Sequence, residues 1–191
     1  MNIPSAQTLS TNRLFLREMN PDIYNEVMGN FSDEEIKKYF GMKTDTSLES
    51  EKARFQSGVT MTGRSFLYFH LLERETNNVI GWCGYHTWFT GHRRAEIGYE
   101  LNDDSHKGKG YMKEAIFPVL KYGFENMNLH RVEALIAPWN IPSIKLVLGS
   151  GFVQEGLLRE HYVKNDKVED SVIYGLLKPD FYKVNPRVTR N

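Results

Sequence analysis

Apolar residues recur along this chain at two spacings, one typical of β-strands and the other of α-helices. Alternation or a short continuous apolar run predicts a strand. Seven segments fit that description: residues 13–17, 64–72, 79–88, 95–101, 131–137, 152–158 and 168–177. Residues 161–163 extend the sixth of them. An apolar stripe with the helical spacing i, i+3, i+4, i+7 runs from Met112 to Phe124, and Pro118 is expected to bend this helix.

Capping side chains predict where the other helices begin, because an oxygen at this position accepts a free amide of the first turn. Four residues fit the role: Asn20, Ser32, Ser47 and Ser143. The first three predicted helices fill residues 21–63, the third reaching about Gly58, and the fourth covers Ile144 to Leu148. Residues 21–63 are polar and irregular, so they form either a flap over a substrate or a cover for one sheet edge.

The order of these elements indicates a mixed α/β (α+β) fold. Hairpins such as the one at Asn77-Asn78 alternate with crossovers, which excludes a doubly wound parallel sheet. We expect a mostly antiparallel, twisted sheet of about seven strands flanked by helices. The 191 residues suit a single domain over 1–191, with frayed ends at about 1–9 and 184–191. The polar tail from Pro179 onward is expected to fray or to dock late.

Composition excludes several classes of protein. The formal net charge of +0 argues against nonspecific nucleic-acid binding. No apolar run approaches the ~20 residues of a membrane span, and the first residues lack a signal-peptide pattern. The single cysteine, Cys83, excludes an internal disulfide, fits a reducing, cytoplasmic location, and is expected to be a buried, inert thiol. The six histidines are scattered without metal-ligand spacing, so we expect no metal.

The segment from Ser105 to Ala115 is the one around which the chain is organised. Gly108 and Gly110 lie one residue apart, between the fourth predicted strand and the long helix, so backbone amides can turn toward a ligand without a Cβ in the way. The helix adds free amides and the positive end of its dipole. Such a segment either binds phosphate or pyrophosphate or simply makes a tight connection.

The surroundings of this loop narrow the choice. A dinucleotide-binding loop follows the first strand of a parallel sheet, and a P-loop ends in Gly-Lys-Ser/Thr; this loop does neither. Glu96 and Glu100 share one face of the preceding strand, with Gly98 between them. Two carboxylates there suggest acid–base chemistry, although a solvated strand face gives the same pattern.

Several segments in a fixed order carry a resemblance to a known family. They span Thr11 to Phe181: Thr11–Arg17, Ile80-Gly81, Ala95–Tyr99, Gly108–Ala115, Asn128–Ala134, Asn140–Ser143, Gly151–Arg159 and Asp170–Leu177. With them the chain resembles the acetyl-coenzyme A-dependent N-acetyltransferases called GNAT. The most similar branch is that of the ribosomal-protein serine/alanine N-terminal acetyltransferases. The resemblance is weakest between residues 30 and 63.

The resemblance implies how the cosubstrate acetyl-coenzyme A is held. The fourth and fifth predicted strands splay apart, and the pantetheine arm lies in the gap. Backbone groups around Leu101 and Asp103 would pair with its amides, Leu101 N–H would polarise the thioester carbonyl, and Asn140 would orient the arm. The pyrophosphate would rest on the loop residues Lys107, Gly108, Lys109, Gly110, Tyr111 and Met112.

The same resemblance implies catalytic roles. Glu96 matches the position of a general base, acting directly or through water, and Glu100 is its competitor on the same strand face. Many relatives protonate the leaving thiolate with a tyrosine at the position that Val147 occupies here. Ser143 is our substitute for that acid, or else it serves only as a helix cap.

The chain departs from the family near the phosphates. Ser105 stands where the family usually has arginine or glutamine, three residues before the first glycine. A site built from backbone amides should tolerate this change, although one cation is lost. Three nearby residues could replace the cation: His106, Lys107 and Lys109.

The acceptor is less well defined by these motifs. An α-amine has a pKa near 7.7–8.0 against about 10.4 for lysine, so a carboxylate base works more easily on a protein N-terminus. We therefore expect an amine-bearing acceptor, with a protein N-terminus as the first hypothesis, and no nucleic acid or membrane; a homodimer remains open. Two alternatives stay: an acetyltransferase for a small amine (polyamine, amino acid or drug), and a noncatalytic coenzyme A-binding sensor or partner-binding domain. Six aromatic residues could line an acceptor groove or belong to the core: Tyr24, Phe40, Trp88, Phe89, Trp139 and Tyr162.

Overall fold

One eight-stranded sheet forms the centre of the computed structural model, which describes residues 7–58, 63–164 and 166–186. The strands are β1 (Thr8–Ser10), β2 (Leu14–Met19), β3 (Arg64–Glu73), β4 (Val79–Phe89), β5 (Arg94–Leu101), β6 (Arg131–Ile136), β7 (Val153–Lys164) and β8 (Lys167–Leu177). They lie in the order β1-β2-β3-β4-β5-β6-β8-β7, and only the pair β5–β6 is parallel. The mixed, mostly antiparallel sheet is confirmed, with one edge strand more than predicted.

Among the described residues, six α-helices cover the two faces of this sheet. They are α1 (Pro21–Asn30), α2 (Asp33–Phe40), α3 (Asp45–Ser57), α4 (Tyr111–Glu125), α5 (Ile141–Gly149) and α6 (Lys178–Val184). The alternation of strand side chains divides the core, because neighbouring residues point to opposite faces. On β3, Phe69 packs in the cluster that includes α4, whereas Phe66 and Tyr68 pack with α1–α3. The predicted bend residue Pro118 lies inside α4, as expected.

Strands β5 and β6 separate soon after they meet. Their pairing is confined to residues 94–96 on β5 and 131–133 on β6, although β5 continues to Leu101 and β6 to Ile136. Beyond Glu96 the two backbones therefore diverge and leave a gap between them. This is the predicted splay of the fourth and fifth strands, which the structure confirms.

Two helix starts were predicted three residues too late. Thr44 caps α3, accepting the amide of Ser47 at 3.2 Å, and Asn140 caps α5, accepting the amide of Ser143 at 3.3 Å. In each case the residue that was predicted to be the cap instead donates its backbone amide to the residue that caps the helix. For α5 the reason is Pro142, which suits the first turn because it has no N–H to satisfy. The predicted caps of α1 and α2 are confirmed.

Both chain ends are more ordered than predicted within the described residues. Thr8 and Leu9 pair with β2 rather than fraying. The segment from Pro179 lies mostly in α6, where Phe181 is fully buried against the ring of Phe124, 5.1 Å away between centroids. A buried aromatic ring gives this short helix a fixed position. The remainder of both predicted frayed ends, residues 1–6 and 187–191, lies outside the described part.

Cys83 lies fully buried on β4, as predicted, and burial raises the pKa of its thiol well above the usual range. Within the described ranges no helix is long and apolar enough to cross a membrane. The same residues contain no group of histidine, cysteine or carboxylate side chains that could hold a metal ion.

Candidate active site

A cavity of about 230 Å³ occupies the gap between β5 and β6. Glu96 and Tyr99 of β5 form one side, and Asn140 and Ser143 of α5 lie on another. Tyr162 of β7 reaches the same space from the edge of the sheet. The fold thus brings together residues from three distant parts of the sequence, and we call this space the acetyl cleft.

Beyond Glu96, the described backbone of β5 is not paired with β6 on the side of the gap. The amide of Asn102 donates to the carbonyl of Ile80 on β4 at 2.9 Å. Because amides alternate in direction along a strand, that of Leu101 points the other way, toward the gap. Leu101 N–H therefore points in the direction that its predicted role at a thioester carbonyl requires.

The glycine loop has the backbone conformation expected of an anion cradle. Gly108 and Gly110 have φ angles of 73° and 81°, which side-chain-bearing residues rarely adopt. Gly110 leads directly into α4 without a side-chain cap, so the first-turn amides from Tyr111 onward face outward. Lys107 differs from the expectation, because its amide already donates to the carbonyl of Asp104 at 3.0 Å. The cradle therefore begins at Gly108.

The side chain of Asp103 has a structural role. It pairs with Lys43, a residue that the sequence did not indicate as part of the site. One carboxylate oxygen accepts the amide of Ser105 at 2.8 Å, and the other pairs with Lys43 Nζ at 2.6 Å. The bond from Lys43 holds the pKa of this carboxyl well below its usual range. Only the backbone of Asp103 remains for a ligand. Lys43 adds a cation near the loop, where Ser105 supplies none.

Arg13, immediately before β2, contacts the same loop and was also missed in the sequence. Its guanidinium stacks over the ring of Tyr111 at 4.4 Å and donates to the carbonyl of Lys109 at 3.0 Å. It is also paired with Glu114 on the first turn of α4. Arg13 thus ties together both ends of the cradle from a position almost a hundred residues earlier in the chain.

Replacing Arg13 with alanine should loosen the cradle. We expect the Kd for acetyl-coenzyme A to rise by about tenfold, the equivalent of one hydrogen bond lost, with kcat nearly unchanged. Isothermal titration calorimetry measures the Kd. Arg74→Ala is the matched control, because the Arg74 guanidinium stacks on a different ring, that of Phe15, at 4.4 Å. Equal Kd values for the two variants would contradict this role.

Glu96 has the electrostatic setting of a general base. Burial, followed by the nearby carboxylate of Glu133, raises its pKa to about 7 against the opposing effect of Arg94. The carboxylate of Glu133 is held in place by Arg94 and Arg131, which both donate to its oxygens, at 2.6 and 2.8 Å. A carboxyl with a pKa near neutrality can accept a proton and release it again at physiological pH.

His86 on β4 is a further residue that the sequence did not indicate. Its Nε2 lies 3.5 Å from Glu96 Oε1, and its Nδ1 lies 3.0 Å from Thr87 Oγ1. Partial burial, followed by the charge of Arg54, lowers the pKa of the imidazole, so it remains neutral and does not pull down the pKa of Glu96. Gly98 makes room for the ring, since a Cβ there would lie 2.5 Å from His86 Cδ2.

The other two predicted catalytic residues are placed less favourably. Glu100 is exposed and lies outside the lining of both cavities at the site. Ser143 lines the acetyl cleft but sits within the first turn of α5 rather than capping it. Its carbonyl accepts the hydroxyl of Tyr99 at 3.5 Å. The structure therefore groups Glu96, Ser143 and Asn140 and leaves Glu100 apart.

A second cavity, of about 500 Å³, adjoins the acetyl cleft under α2 and α3. His86 lines both spaces, so they meet at this residue. We call the larger space the acceptor cavity. Of the six aromatic residues considered from the sequence, Phe40 lines it and Tyr162 lines the acetyl cleft, whereas Tyr24 is buried in the core.

Comparisons with known proteins agree with this geometry. Residues 13–153 match the family described as Acetyltransferase (GNAT) domain, and the chain belongs to that family, whose members use acetyl-coenzyme A as cosubstrate. It is 36% identical to the N-acetyltransferase p20 of Bacillus licheniformis over 177 residues. This alignment covers 92% of this chain and 98% of the relative. The protein is therefore an acyltransferase, specifically an N-acetyltransferase.

Two further similarities concern enzymes with named acceptors. The chain is 28% identical over 118 residues to the ribosomal protein uS5-alanine N-acetyltransferase of Escherichia coli, covering 61% of this chain and 60% of that one. The spermidine/spermine N-acetyltransferase SpeG of Vibrio cholerae, in mutant form, superposes with a TM-score of 0.67 at 20% identity, over 91% of this chain and 98% of that chain. This second similarity shows a shared fold.

Proposed function

We propose that this N-acetyltransferase acts on the α-amine at the N-terminus of a protein. The observation that carries the proposal is the position of Glu96, a carboxyl with a pKa raised to about 7 that lines the acetyl cleft and lies 3.5 Å from His86, where the two cavities meet. Such a base is matched to an α-amine of pKa near 7.7–8.0 and poorly matched to an alkylamine of about 10.4. The similarity to a ribosomal-protein acetyltransferase supports the same choice.

The residues of the site fit acetyl-coenzyme A, which supplies an acetyl thioester when it is bound. Leu101 N–H is directed at the gap where the thioester carbonyl would lie, and the amides from Gly108 onward would hold the pyrophosphate. Glu96 would accept the proton that the attacking amine loses. Asn140 would orient the pantetheine, and the Ser143 hydroxyl would donate a hydrogen bond to the departing sulfur.

The charges around the acceptor cavity argue against a polyamine acceptor. Among the described residues, its lining contains one carboxylate, Glu51, and this is paired with Arg54 at 3.4 Å. A polyamine carries several positive charges and needs several carboxylates to replace its hydration. The neutral pair instead suits an acceptor whose single amine enters the site uncharged.

A direct competition tests the choice of acceptor. The purified enzyme is given acetyl-coenzyme A with equal concentrations of a peptide that has a free N-terminus and of spermidine. We expect the acetylated peptide to be the main product by mass spectrometry. A preference for spermidine would contradict the proposal and would favour the small-amine alternative.

The raised pKa of Glu96 predicts the pH dependence of the reaction. Because a base must be deprotonated to act, kcat at saturating acceptor should fall as the pH drops through about 7, approaching tenfold per unit. Glu133→Gln removes a neighbouring negative charge that helps to raise this pKa. The variant should therefore shift the acidic limb of the pH–rate profile to lower pH. A limb that lies near pH 4.5 in the unmodified enzyme, or fails to move in the variant, would contradict the assignment.

A further inference from the structure

Half of the described residues that line the acceptor cavity carry aromatic rings, and these rings pack on one another. Tyr68 packs edge-on against both Trp82 and His70, with ring centroids 5.6 and 5.5 Å apart. Phe40 packs edge-on against His70 at 5.3 Å. Met42 completes the apolar surface. Because these rings support each other, the cavity is expected to keep its shape in the absence of a ligand.

The geometry also says which end of the cavity receives the amine. The imidazole of His86 lies at the junction with the acetyl cleft, and Glu96 is 3.5 Å beyond it. A reacting amine must sit at this junction, within reach of Glu96. Whatever is attached to the carbon that bears the amine then points back among the rings.

The charged groups around the acceptor cavity are already paired with one another, so few are available to bind a second positive charge on the acceptor. Glu51 accepts a hydrogen bond from Tyr24 Oη at 2.7 Å and is paired with Arg54. Behind the ring wall, Arg17 Nη2 lies 3.3 Å from Nδ1 of His70, whose pKa is lowered to about 3 by burial and by that cation. An aromatic cage alone would also suit an alkylammonium group, but two guanidinium groups beside this cage oppose one.

We propose that the acceptor carries a bulky apolar side chain, preferably aromatic, on the carbon that bears the reacting amine. This inference rests on the proposed function and narrows its substrate class. An alanine or serine side chain would leave most of the roughly 500 Å³ unfilled. A phenylalanine side chain would bury its ring against the walls, and filling such a pocket typically discriminates by about tenfold to a few hundredfold.

Four peptides that differ only in the first residue test the proposal. Their N-termini are alanine, serine, leucine and phenylalanine, and kcat/KM is measured with acetyl-coenzyme A for each. We expect the phenylalanine peptide to exceed the alanine peptide by at least tenfold, with leucine between them. Calorimetric titration of the same peptides into enzyme saturated with coenzyme A gives binding without turnover and should show the same order.

A tryptophan variant shows whether the cavity itself makes the choice. Trp82→Ala enlarges the cavity, so the phenylalanine peptide should lose at least tenfold more affinity than the alanine peptide loses. Trp139→Ala is the matched control, because that ring is 64% exposed and lies outside the cavity lining. Should Trp82→Ala fail to fold by circular dichroism, Met42→Ala opens the same wall with a smaller loss of packing.

The outcomes separate the inference from the function on which it rests. If the alanine and serine peptides react and bind as well as the phenylalanine peptide, the inference is overturned while N-terminal acetylation stands. An equal loss for all peptides in Trp82→Ala would likewise overturn it. If no peptide is acetylated but free aromatic amines are, the protein acceptor is wrong and the side-chain preference is supported.

Discussion

Replacing Glu96 with glutamine is expected to lower kcat by about 10²–10⁴-fold, the usual contribution of a positioned general base. Glutamine has the same shape and can still occupy the space beside His86, so the cavity walls should remain in place. It cannot accept the proton that the amine loses. Steady-state release of coenzyme A at pH 8 measures the effect, and calorimetry should show an unchanged Kd for acetyl-coenzyme A.

Glu100→Gln is the matched control for this experiment. Glu100 lies on the same strand, four residues further on, but it is exposed and outside both cavities. We expect its kcat to stay within about twofold of the unmodified enzyme, as for surface changes in general. A large loss in Glu100→Gln with little loss in Glu96→Gln would reverse the assignment of the base.

Replacing Phe181 with alanine is expected to lower the free energy of unfolding by about 3–5 kcal/mol, the range for large buried aromatic residues. The ring is fully buried between α4 and α6, and it contacts Phe124, Phe117 and Tyr182. Its loss would leave a cavity under α6. Urea unfolding followed by circular dichroism measures the change.

Val184→Ala provides the comparison on the same helix. Its side chain is 55% exposed, so the expected loss is within about 0.5 kcal/mol. If Phe181→Ala were equally mild, α6 would be a loosely attached tail, as the polar sequence after Pro179 suggested. The burial of Phe181 predicts instead that α6 is part of the cooperative core.

Local patterns in the sequence were sufficient for most strands and for the cofactor loop. Alternation or a continuous apolar run located β2 to β8, because a half-buried strand needs an apolar residue at every second position and a fully buried one needs them throughout. Gly108 and Gly110 were recognisable because only glycine readily adopts their positive φ angles. Glu96 and Glu100 were both noticed as carboxylates on the strand face just before that loop, and the family resemblance favoured Glu96. These features depend on neighbouring residues and so can be read from short segments.

The residues that were missed reach the site through the tertiary fold. Arg13 contacts a loop almost a hundred residues away, Lys43 pairs with Asp103 across 60 positions, and His86 meets Glu96 only because β4 and β5 pair. No local sequence pattern indicates such contacts. The glycine at position 98, which leaves space for the His86 ring, is only a weak indication of the contact between His86 and Glu96. The burial of α6 likewise depends on α4 and not on its own sequence.

Choices between neighbouring polar residues were equally hard to make from the sequence. Thr44 and Ser47 are both good caps, and a cap bonds an amide two or three residues later, so either could begin α3. The structure selects Thr44. The same ambiguity explains why the start of α5 was predicted at Ser143 although Asn140 caps the helix. Ser143 is therefore a candidate hydrogen-bond donor at the acetyl cleft and has no capping function.

The position of the acetyl group on a suitable peptide tests the central claim most directly. The peptide has a free α-amine on an N-terminal phenylalanine and one internal lysine, and it is incubated with the enzyme and acetyl-coenzyme A. Fragmentation by mass spectrometry then locates the product. We predict acetylation at the α-amine, with one coenzyme A released per acetyl group and loss of the product in Glu96→Gln. Acetylation at the lysine Nζ instead, or turnover that survives in Glu96→Gln, would contradict the account.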